Sequence, residues 1–514
     1  MRQPGPERGP EVPAETLSPT ELRFDRARRG VGLFAGPLAF ALLLVAPVPA
    51  PSPAAARLAA ILAWVLVWWI TEPVPIPVTS LLGPALAVVC GVGSAAEMFA
   101  PFGDPIVLFF LGSFVLAEAM AATGLDRRFA FAILRRPSVG ATPGRLLVAF
   151  AAITAGLSAW LNNTATTAML YPIGVSVLAA LARAAGGVDL RRLRFGTALM
   201  LSLAYASSIG GIATPVGTAP NLITLGQLQL LADVRIPFFQ WMLIAAPISL
   251  VMLAVLLVYL RFALPPDVPD MRGGRDELAA DAAALGPLSR AERNVLFAFG
   301  ATVTGWVAPG ILAVALGSDA ELVRTVSRLF PESAIAVLGA ALLFVLPIDW
   351  RTRRFTLGWD EAVRIDWGTL LLFGGGLALG GAMFRTGLAG AFGGALVAWS
   401  GSDSLVALTY LFAWIALVLT ETTSNTATAT MVAPLAIAAA QAAGVSPVPP
   451  AVAVALASSM AFMLPVSTPP NAIVYGSGCI PITAMLRHGV ALDLASALIV
   501  PSGVLLACRL LGLA

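Results

Sequence analysis

The chain contains no lysine; all 31 of its basic residues are arginine. It has one histidine, His488, and three cysteines, Cys90, Cys479 and Cys508, in 514 residues. Charged residues make up 11% of it, where a soluble domain carries roughly 25%. Each scarcity excludes something. With a single histidine there is no second imidazole for a metal site, no HExxH and no Ser–His pair at membrane depth. The prerequisites of an intramembrane enzyme are therefore missing. Three cysteines, all in or beside apolar segments, give neither a disulfide framework nor a metal site. The run Gly374-Gly375-Gly376 is followed by no lysine and no adjacent Ser or Thr. It is not a phosphate loop and reads as close helix packing. A net charge of +3 is too small to imply nucleic acid.

Apolar surface is what the chain has in abundance. Hydrophobic residues are 58% of it, and the mean hydropathy is +0.87. Apolar runs of about 20 residues recur from Val31 to Leu513, each able to cross a hydrocarbon layer of roughly 30 Å. Candidate spans are 31–50, 57–71, 75–93, 104–124, 196–231, 238–262, 294–316, 332–347, 366–386, 452–484 and 490–512. The expectation is an all-α polytopic membrane protein of about eleven transmembrane helices. Two further apolar stretches, 145–182 and 404–443, are broken near their middles by polar residues. Residues 1–30 are polar and read as a disordered cytoplasmic tail. No apolar stretch with a small-residue cleavage site precedes Val31, so they do not resemble a cleaved signal.

Arginine placement orients the chain. Arg23, Arg26, Arg28 and Arg29 precede the first span, which predicts a cytoplasmic N-terminus in an inner or plasma membrane. Alternate loops then hold Arg127, Arg128, Arg135 and Arg136, next Arg183, Arg191, Arg192 and Arg194, and later the arginine-bearing linker 263–293 and the segment Arg351 to Arg364. Predicted outside loops are poor in arginine, with Arg324 and Arg328 as the exception. The 145–182 stretch has arginine-rich flanks and so enters and leaves at the cytoplasm. The 404–443 stretch has arginine-free flanks and so enters and leaves outside. Charge parity allows either a pair of spans or a re-entrant hairpin for each; the polar midpoints favour hairpins.

An internal repeat is readable. LFFLGSFVLAEAMAATGL from Leu108 matches LLFGGGLALGGAMFRTGL from Leu371. NNTATTAML from Asn162 matches SNTATATMV from Ser424. GIATPVGTAPN from Gly211 matches FMLPVSTPPN from Phe462. The order is the same in both halves, 31–262 and 294–514, while the broken stretches open to opposite sides. Inverted repeats with helices interrupted at matching positions, here 196–231 and 452–484, point to a secondary transporter.

Asn163-Thr164 and Asn425-Thr426 each offer an amide and a hydroxyl, both neutral donors. At a hairpin tip, the next arm would add free backbone N–H groups and the positive end of its dipole. Two such tips would hold two carboxylates, or one tetrahedral oxyanion, without a buried arginine. Helix capping or helix–helix bonding explains one such segment, but explains poorly two in register with matching breaks. The proline-rich breaks around Thr214-Pro215 and Pro465 free carbonyls, which are oxygen ligands suited to sodium. His488 reads as a surface or interfacial residue in the loop before the last span. Glu421 reads as structural support rather than a ligand.

These segments, together with ITEPVPIPVTSLL from Ile70 and the stretch Gly374 to Leu388, resemble the divalent anion:sodium symporter family of dicarboxylate, citrate and sulfate carriers. The resemblance covers nearly everything from Val31 to the end. It implies a homodimer with scaffold and transport domains, two re-entrant hairpins and an elevator motion. Sodium is the implied coupling ion, a small divalent anion the implied substrate, and no organic cofactor is expected. Carried onto this chain, the substrate site falls on Asn163, Thr164, Asn425 and Thr426, lined by Thr218 and Thr468. The first sodium site falls on Ser158, Asn163 and Gly211, with Asn162 where the family has a sodium-ligating serine. The second falls on Thr420, Thr423, Asn425 and Ser467. Sodium-driven uptake of a C4 dicarboxylate is the function implied. Sodium-independent exchange is the alternative if Asn162 disables the first cation site.

Overall fold

The structure is a computed structural model that describes residues 19–46, 49–136, 138–139, 142–184, 193–267, 278, 282–317, 319–401 and 403–514. Its helices are α1 (Pro19–Val45), α2 (Pro53–Thr71), α3 (Ile76–Val89), α4 (Ala95–Phe99), α5 (Pro105–Thr123), α6 (Leu125–Leu134), α7 (Pro143–Ser158) and α8 (Asn163–Ala184). There follow α9 (Arg194–Gly211), α10 (Ala219–Ala232), α11 (Phe238–Ala263), α12 (Arg290–Leu316), α13 (Glu321–Leu329) and α14 (Glu332–Val345). The remainder are α15 (Trp359–Ala362), α16 (Trp367–Arg385), α17 (Leu388–Ser400), α18 (Leu405–Thr420), α19 (Asn425–Ala442), α20 (Val448–Ser458), α21 (Pro469–Tyr475) and α22 (Ile482–Leu510). Between α14 and α15 lies a short antiparallel ribbon, β1 (Pro347–Asp349) with β2 (Arg354–Phe355), the only strands among the described residues.

Local sequence sets the helix starts. Ser52, Asp104 and Thr142 each accept a hydrogen bond from the backbone N–H of the first turn, and each is followed by a proline at the first helical position. Proline is pre-organised there because its missing N–H would be unpaired in any case. Ser289 and Glu292 cap α12 reciprocally. Every expected span coincides with a helix or a broken pair of helices. Among the described residues eight helices are long and apolar enough to cross a membrane, or nine if the pair bent by 51° at Glu321–Leu329 and Glu332–Val345 counts as one span. The expected spans outside that set are the short α3 and the broken pairs α9/α10 and α20/α21.

The two halves match element by element. The arms α7 and α18 are each 16 residues long, or about 24 Å at 1.5 Å per residue, short of a roughly 30 Å hydrocarbon layer. Each is followed by a four-residue turn, 159–162 or 421–424, and then by an arm beginning at Asn163 or Asn425. The α8 arm is itself long and apolar enough to cross. The hairpin reading therefore rests on the short α7 and on where the tips end.

Three expectations need correcting. The tail was expected to run to residue 30, but residues 19–30 belong to α1; residues 1–18 lie outside the described set. His488 is not in a loop: it lies within α22 and is buried, with Nδ1 at 2.9 Å from the Tyr259 hydroxyl. Arg324 and Arg328, expected in a loop, sit on exposed positions of the short helix α13. Val323 is its one buried residue, so the arginines ride on an amphipathic element instead. Of the linker 263–293, residues 264–267, 278 and 282–289 are described between α11 and α12.

The glycine run in α16 is a packing feature. A Cβ at Gly375 would collide with the carbonyl oxygen of Ser80 on α3, and one at Gly376 with the Thr430 methyl on α19. Gly375→Val is expected to lower stability by at least about 1–3 kcal/mol, the usual range for overpacking. The measurement is thermal unfolding in detergent; an unchanged midpoint would contradict this close approach.

Candidate anion and cation sites

The tips repeat one hydrogen-bond scheme. After α7, the Asn162 Oδ1 accepts from the Ala165 N–H at 2.6 Å. After α18, the Ser424 Oγ accepts from the Ala427 N–H at 3.1 Å. Asn162 therefore caps its helix as serine does in the other half; the two residue types are about equally good caps. Next, Ser158 Oγ donates to Asn163 Oδ1 at 2.7 Å, and Thr420 Oγ1 donates to Asn425 Oδ1 at 2.8 Å.

The broken helices repeat a second scheme. Asn221 Nδ2 donates to the carbonyls of Gly211 (3.1 Å) and Thr214 (2.7 Å). Asn471 Nδ2 donates to those of Ala461 (3.1 Å) and Leu464 (3.0 Å). Each amide ties down the carbonyl four residues before its proline, which the proline leaves without a helical donor, and that of the residue just before the proline. The Oδ1 atoms of both asparagines are buried without a partner.

Both tips line one cavity of about 480 Å³. All six expected substrate residues, Asn163, Thr164, Thr218, Asn425, Thr426 and Thr468, are in its wall, with Asn162 and Ser467. The helices α8, α10 and α19 start at wall residues Asn163, Ala219 and Asn425, and the short α21 starts at Pro469. A helix N-terminus carries roughly +0.5 of an elementary charge. Several aimed at one space favour an anion without any basic side chain, and none is in the wall. Sequence reasoning missed Phe114, Asp366 and Thr369, which also line the cavity. Asp366 is committed to capping α16, accepting from the Thr369 N–H (3.1 Å) and hydroxyl (2.5 Å). The segment Asp366-Trp367-Gly368-Thr369 carries that capping signal, but at the start of an expected span it reads as a helix end rather than a cavity wall.

Oxygens gather behind each tip. A Cβ at Gly217 would lie 2.5 Å from the Gly211 carbonyl oxygen, 2.7 Å from that of Ser158 and 2.9 Å from that of Ala159. A Cβ at Gly211 would overlap Asn163 Oδ1. Only glycine leaves this cradle of carbonyl, hydroxyl and amide oxygens open, and such a donor set fits a hard cation. In the second half Thr420 Oγ1 meets the Ser458 carbonyl at 2.5 Å, and Ser467 Oγ meets that of Glu421 at 2.9 Å. The residues present therefore fit sodium in both halves, through Ser158, Asn163 and Gly211 and through Thr420, Asn425 and Ser467. Thr423 is placed differently. Its hydroxyl donates to the Leu419 carbonyl (2.9 Å) and pairs with Thr428 Oγ1 (2.8 Å). Leu161 holds the matching position in the first half, and the Thr166 hydroxyl there is buried without a partner.

Glu421 supports the second break. Its Oε1 accepts from the N–H groups of Phe462 (2.7 Å) and Met463 (3.2 Å), and its Oε2 from Ser467 Oγ (2.8 Å).

A polytopic helical chain with two matched tips around one central cavity is a membrane transporter, not an enzyme. The sodium:sulfate symporter transmembrane region matches residues 29–510, and the chain belongs to this family of divalent anion:sodium symporters. It is 35% identical to the sodium-dependent dicarboxylate transporter SdcS of Staphylococcus saprophyticus over 475 residues, covering 91% of this chain and 89% of that protein. It is 34% identical to SdcS of Staphylococcus aureus, with the same coverage. The fold is shared with the crystal structure of the YdaH transporter of Alcanivorax borkumensis, at a TM-score of 0.52 and 16% identity, covering 95% of this chain and 98% of that one.

Proposed function

We propose that the chain imports a C4 dicarboxylate such as succinate or malate by sodium-coupled symport. The observation that carries the reading is the single cavity walled by both Asn-Thr tips, with an oxygen cradle behind each. Asn163, Thr164, Asn425 and Thr426 would donate to the two carboxylates, with Thr218 and Thr468 lining the space between. Sodium at the Ser158/Asn163/Gly211 and Thr420/Asn425/Ser467 cradles would supply positive charge at the tips and hold them in the substrate-binding geometry. Ser158, Thr420 and the fixed carbonyls keep the tip asparagines oriented for both tasks. In this reading the chain is a homodimer in the plasma membrane with a cytoplasmic N-terminus, and its hairpins and broken helices move together as an elevator. The relatives named for sodium-dependent dicarboxylate transport support the substrate class. The test is initial [14C]succinate uptake into proteoliposomes under an inward sodium gradient against a choline control. Accumulation only with sodium is expected; equal uptake in both would overturn symport.

Exchange without sodium was the alternative if Asn162 disabled the first cation site. The Asn162 oxygen caps α8, and the Ser158–Asn163 pair is intact, which leaves that alternative without an observation in its favour. Asn162→Ser is accordingly expected to keep sodium-dependent uptake. Its half-saturating sodium concentration should shift by less than about tenfold, since exchanging one good cap for another costs well under the 1.4 kcal/mol that tenfold represents. Loss of uptake in folded Asn162→Ser protein would show instead that the amide has a role beyond capping.

A further inference from the structure

The ribbon β1–β2 folds back onto the end of an apolar span. Just after β2, the Thr356 and Leu357 N–H groups donate to the carbonyls of Leu346 (3.0 Å) and Leu343 (3.2 Å), at the last turn of α14. From the first turns of α12, Arg290 Nη1 donates to the Ile348 carbonyl (3.0 Å) and Asn294 Nδ2 to that of Pro347 (3.2 Å). The ribbon is therefore fixed where α12 begins and α14 ends. Asp349 shapes its turn, 350–353, by accepting from the Arg351 N–H and the Thr352 hydroxyl, both at 2.9 Å. Arg353 closes the turn at φ 52°, a left-handed conformation that glycine or asparagine takes more easily.

What the ribbon presents is basic and aromatic. Arg351, Arg353 and Arg354 are exposed. Among the described residues none of their guanidinium groups has a hydrogen bond or an ion pair. Trp350 and Trp359 are 69% and 68% exposed. Each indole is backed by a phenylalanine: Trp350 by Phe355, with ring centroids 6.3 Å apart, and Trp359 by Phe344 of α14, at 6.4 Å. Of the carboxylates in 347–362, Asp349 is engaged in the turn and Glu361 accepts from the Gly358 N–H at 2.9 Å. Asp360 alone stands without a bond against three free guanidinium groups. Indoles favour the headgroup level of a bilayer, where the ring is in an apolar layer and the N–H stays wet. Guanidinium forks match phosphate oxygens. Both preferences are met at one depth, the end of a span, which is where α12 and α14 hold the ribbon.

We propose that the ribbon binds anionic phospholipid at the bilayer surface, with Arg351, Arg353 and Arg354 on headgroup phosphates and Trp350 and Trp359 at the boundary with the acyl chains. In the orientation expected from the arginines, this is the cytoplasmic leaflet. Its negative surface potential attracts basic segments beside a span. Bound lipid would hold the start of α12 and the end of α14 at headgroup depth. The proposal concerns the bilayer and is independent of which solute the chain carries.

The experiment places a fluorophore on Thr352→Cys in the full-length chain, with Cys90, Cys479 and Cys508 replaced by alanine. The protein is reconstituted into liposomes of phosphatidylcholine and phosphatidylglycerol, and one lipid or the other carries a quenching spin label high on its acyl chain. Labelled phosphatidylglycerol is expected to quench several-fold more strongly than labelled phosphatidylcholine, and high salt should remove the difference. The preference should vanish in Arg351→Gln/Arg353→Asn/Arg354→Gln and persist when all three arginines are replaced by lysine, which keeps the charge. Equal quenching by the two lipids before any arginine is changed, or a preference unaltered in the neutral variant, overturns the proposal. Quenching by neither lipid overturns it as well, and energy transfer between labels would then put a second copy of the chain on the ribbon. Should the triple neutral variant fail to fold, the salt dependence and the single substitution Arg354→Gln decide; the latter is expected to lower the preference by about fivefold.

Discussion

Gly217→Ala is expected to abolish sodium-driven uptake while leaving a folded protein. The added methyl would sit 2.5–2.9 Å from three carbonyl oxygens, those of Gly211, Ser158 and Ala159. All three are backbone atoms, held by α7, α9 and the turn after α7, so none can swing aside as a side-chain end would. The methyl fills the space where a cation would be ligated and sets an apolar surface against these oxygens. Loss of that site should cost coupling before it costs the fold. The helices pack elsewhere, and overpacking by one methyl typically costs about 1–3 kcal/mol. The paired measurements are sodium-dependent uptake and thermal unfolding in detergent. Wild-type uptake with wild-type sodium dependence in the variant would remove the Gly217 cradle from the mechanism.

Thr426→Val is expected to weaken succinate binding by about 10- to 100-fold. Threonine and valine are nearly isosteric, so the change removes one hydroxyl donor from the cavity wall. A hydrogen bond to a charged group contributes about 1.5–3 kcal/mol, and each 1.4 kcal/mol is tenfold in affinity. Thr426 Oγ1 sits in the first turn of α19, at the N-terminus that Ser424 caps. The cap itself stays intact in the variant, so helix formation is preserved. Calorimetric titration of the purified variant with succinate in sodium checks the figure. Unchanged affinity would place the substrate elsewhere in the cavity.

The repeat and the tips were legible because they are written in residue types. Asn-Thr pairs, proline breaks and arginine-flanked apolar stretches carry their meaning in composition and spacing, and the six substrate candidates all reached one wall. What was not legible depends on how backbone turns aim side chains. Asn162 was carried over as a sodium-site residue in place of the family's serine; its side-chain oxygen caps α8 as Ser424 caps α19. Thr423 matched a ligand pattern, yet its hydroxyl is turned onto Leu419 and Thr428. Helix starts were blurred for another reason. Hydropathy is averaged over about 19 residues, so polar first turns are read as loop. That is why α22 begins at Ile482 rather than near 490, and why His488 is inside it. Asp366 was missed for a different reason: it opens the expected span 366–386, so its capping signal reads as a helix end, whereas it also lines the cavity. Glu421 was read as structural support, and its bonds to Phe462, Met463 and Ser467 fit that role.

Titrating the purified protein with succinate at increasing sodium, with choline holding ionic strength constant, tests most directly whether the tip cavity binds a dianion together with sodium. If Asn163 and Asn425 serve both the cavity and the cradles, the two ligands share coupling free energy. Succinate affinity should then rise steeply with sodium, and sodium affinity should rise by the same factor with succinate. Succinate binding of equal strength in sodium and in choline would contradict the shared site.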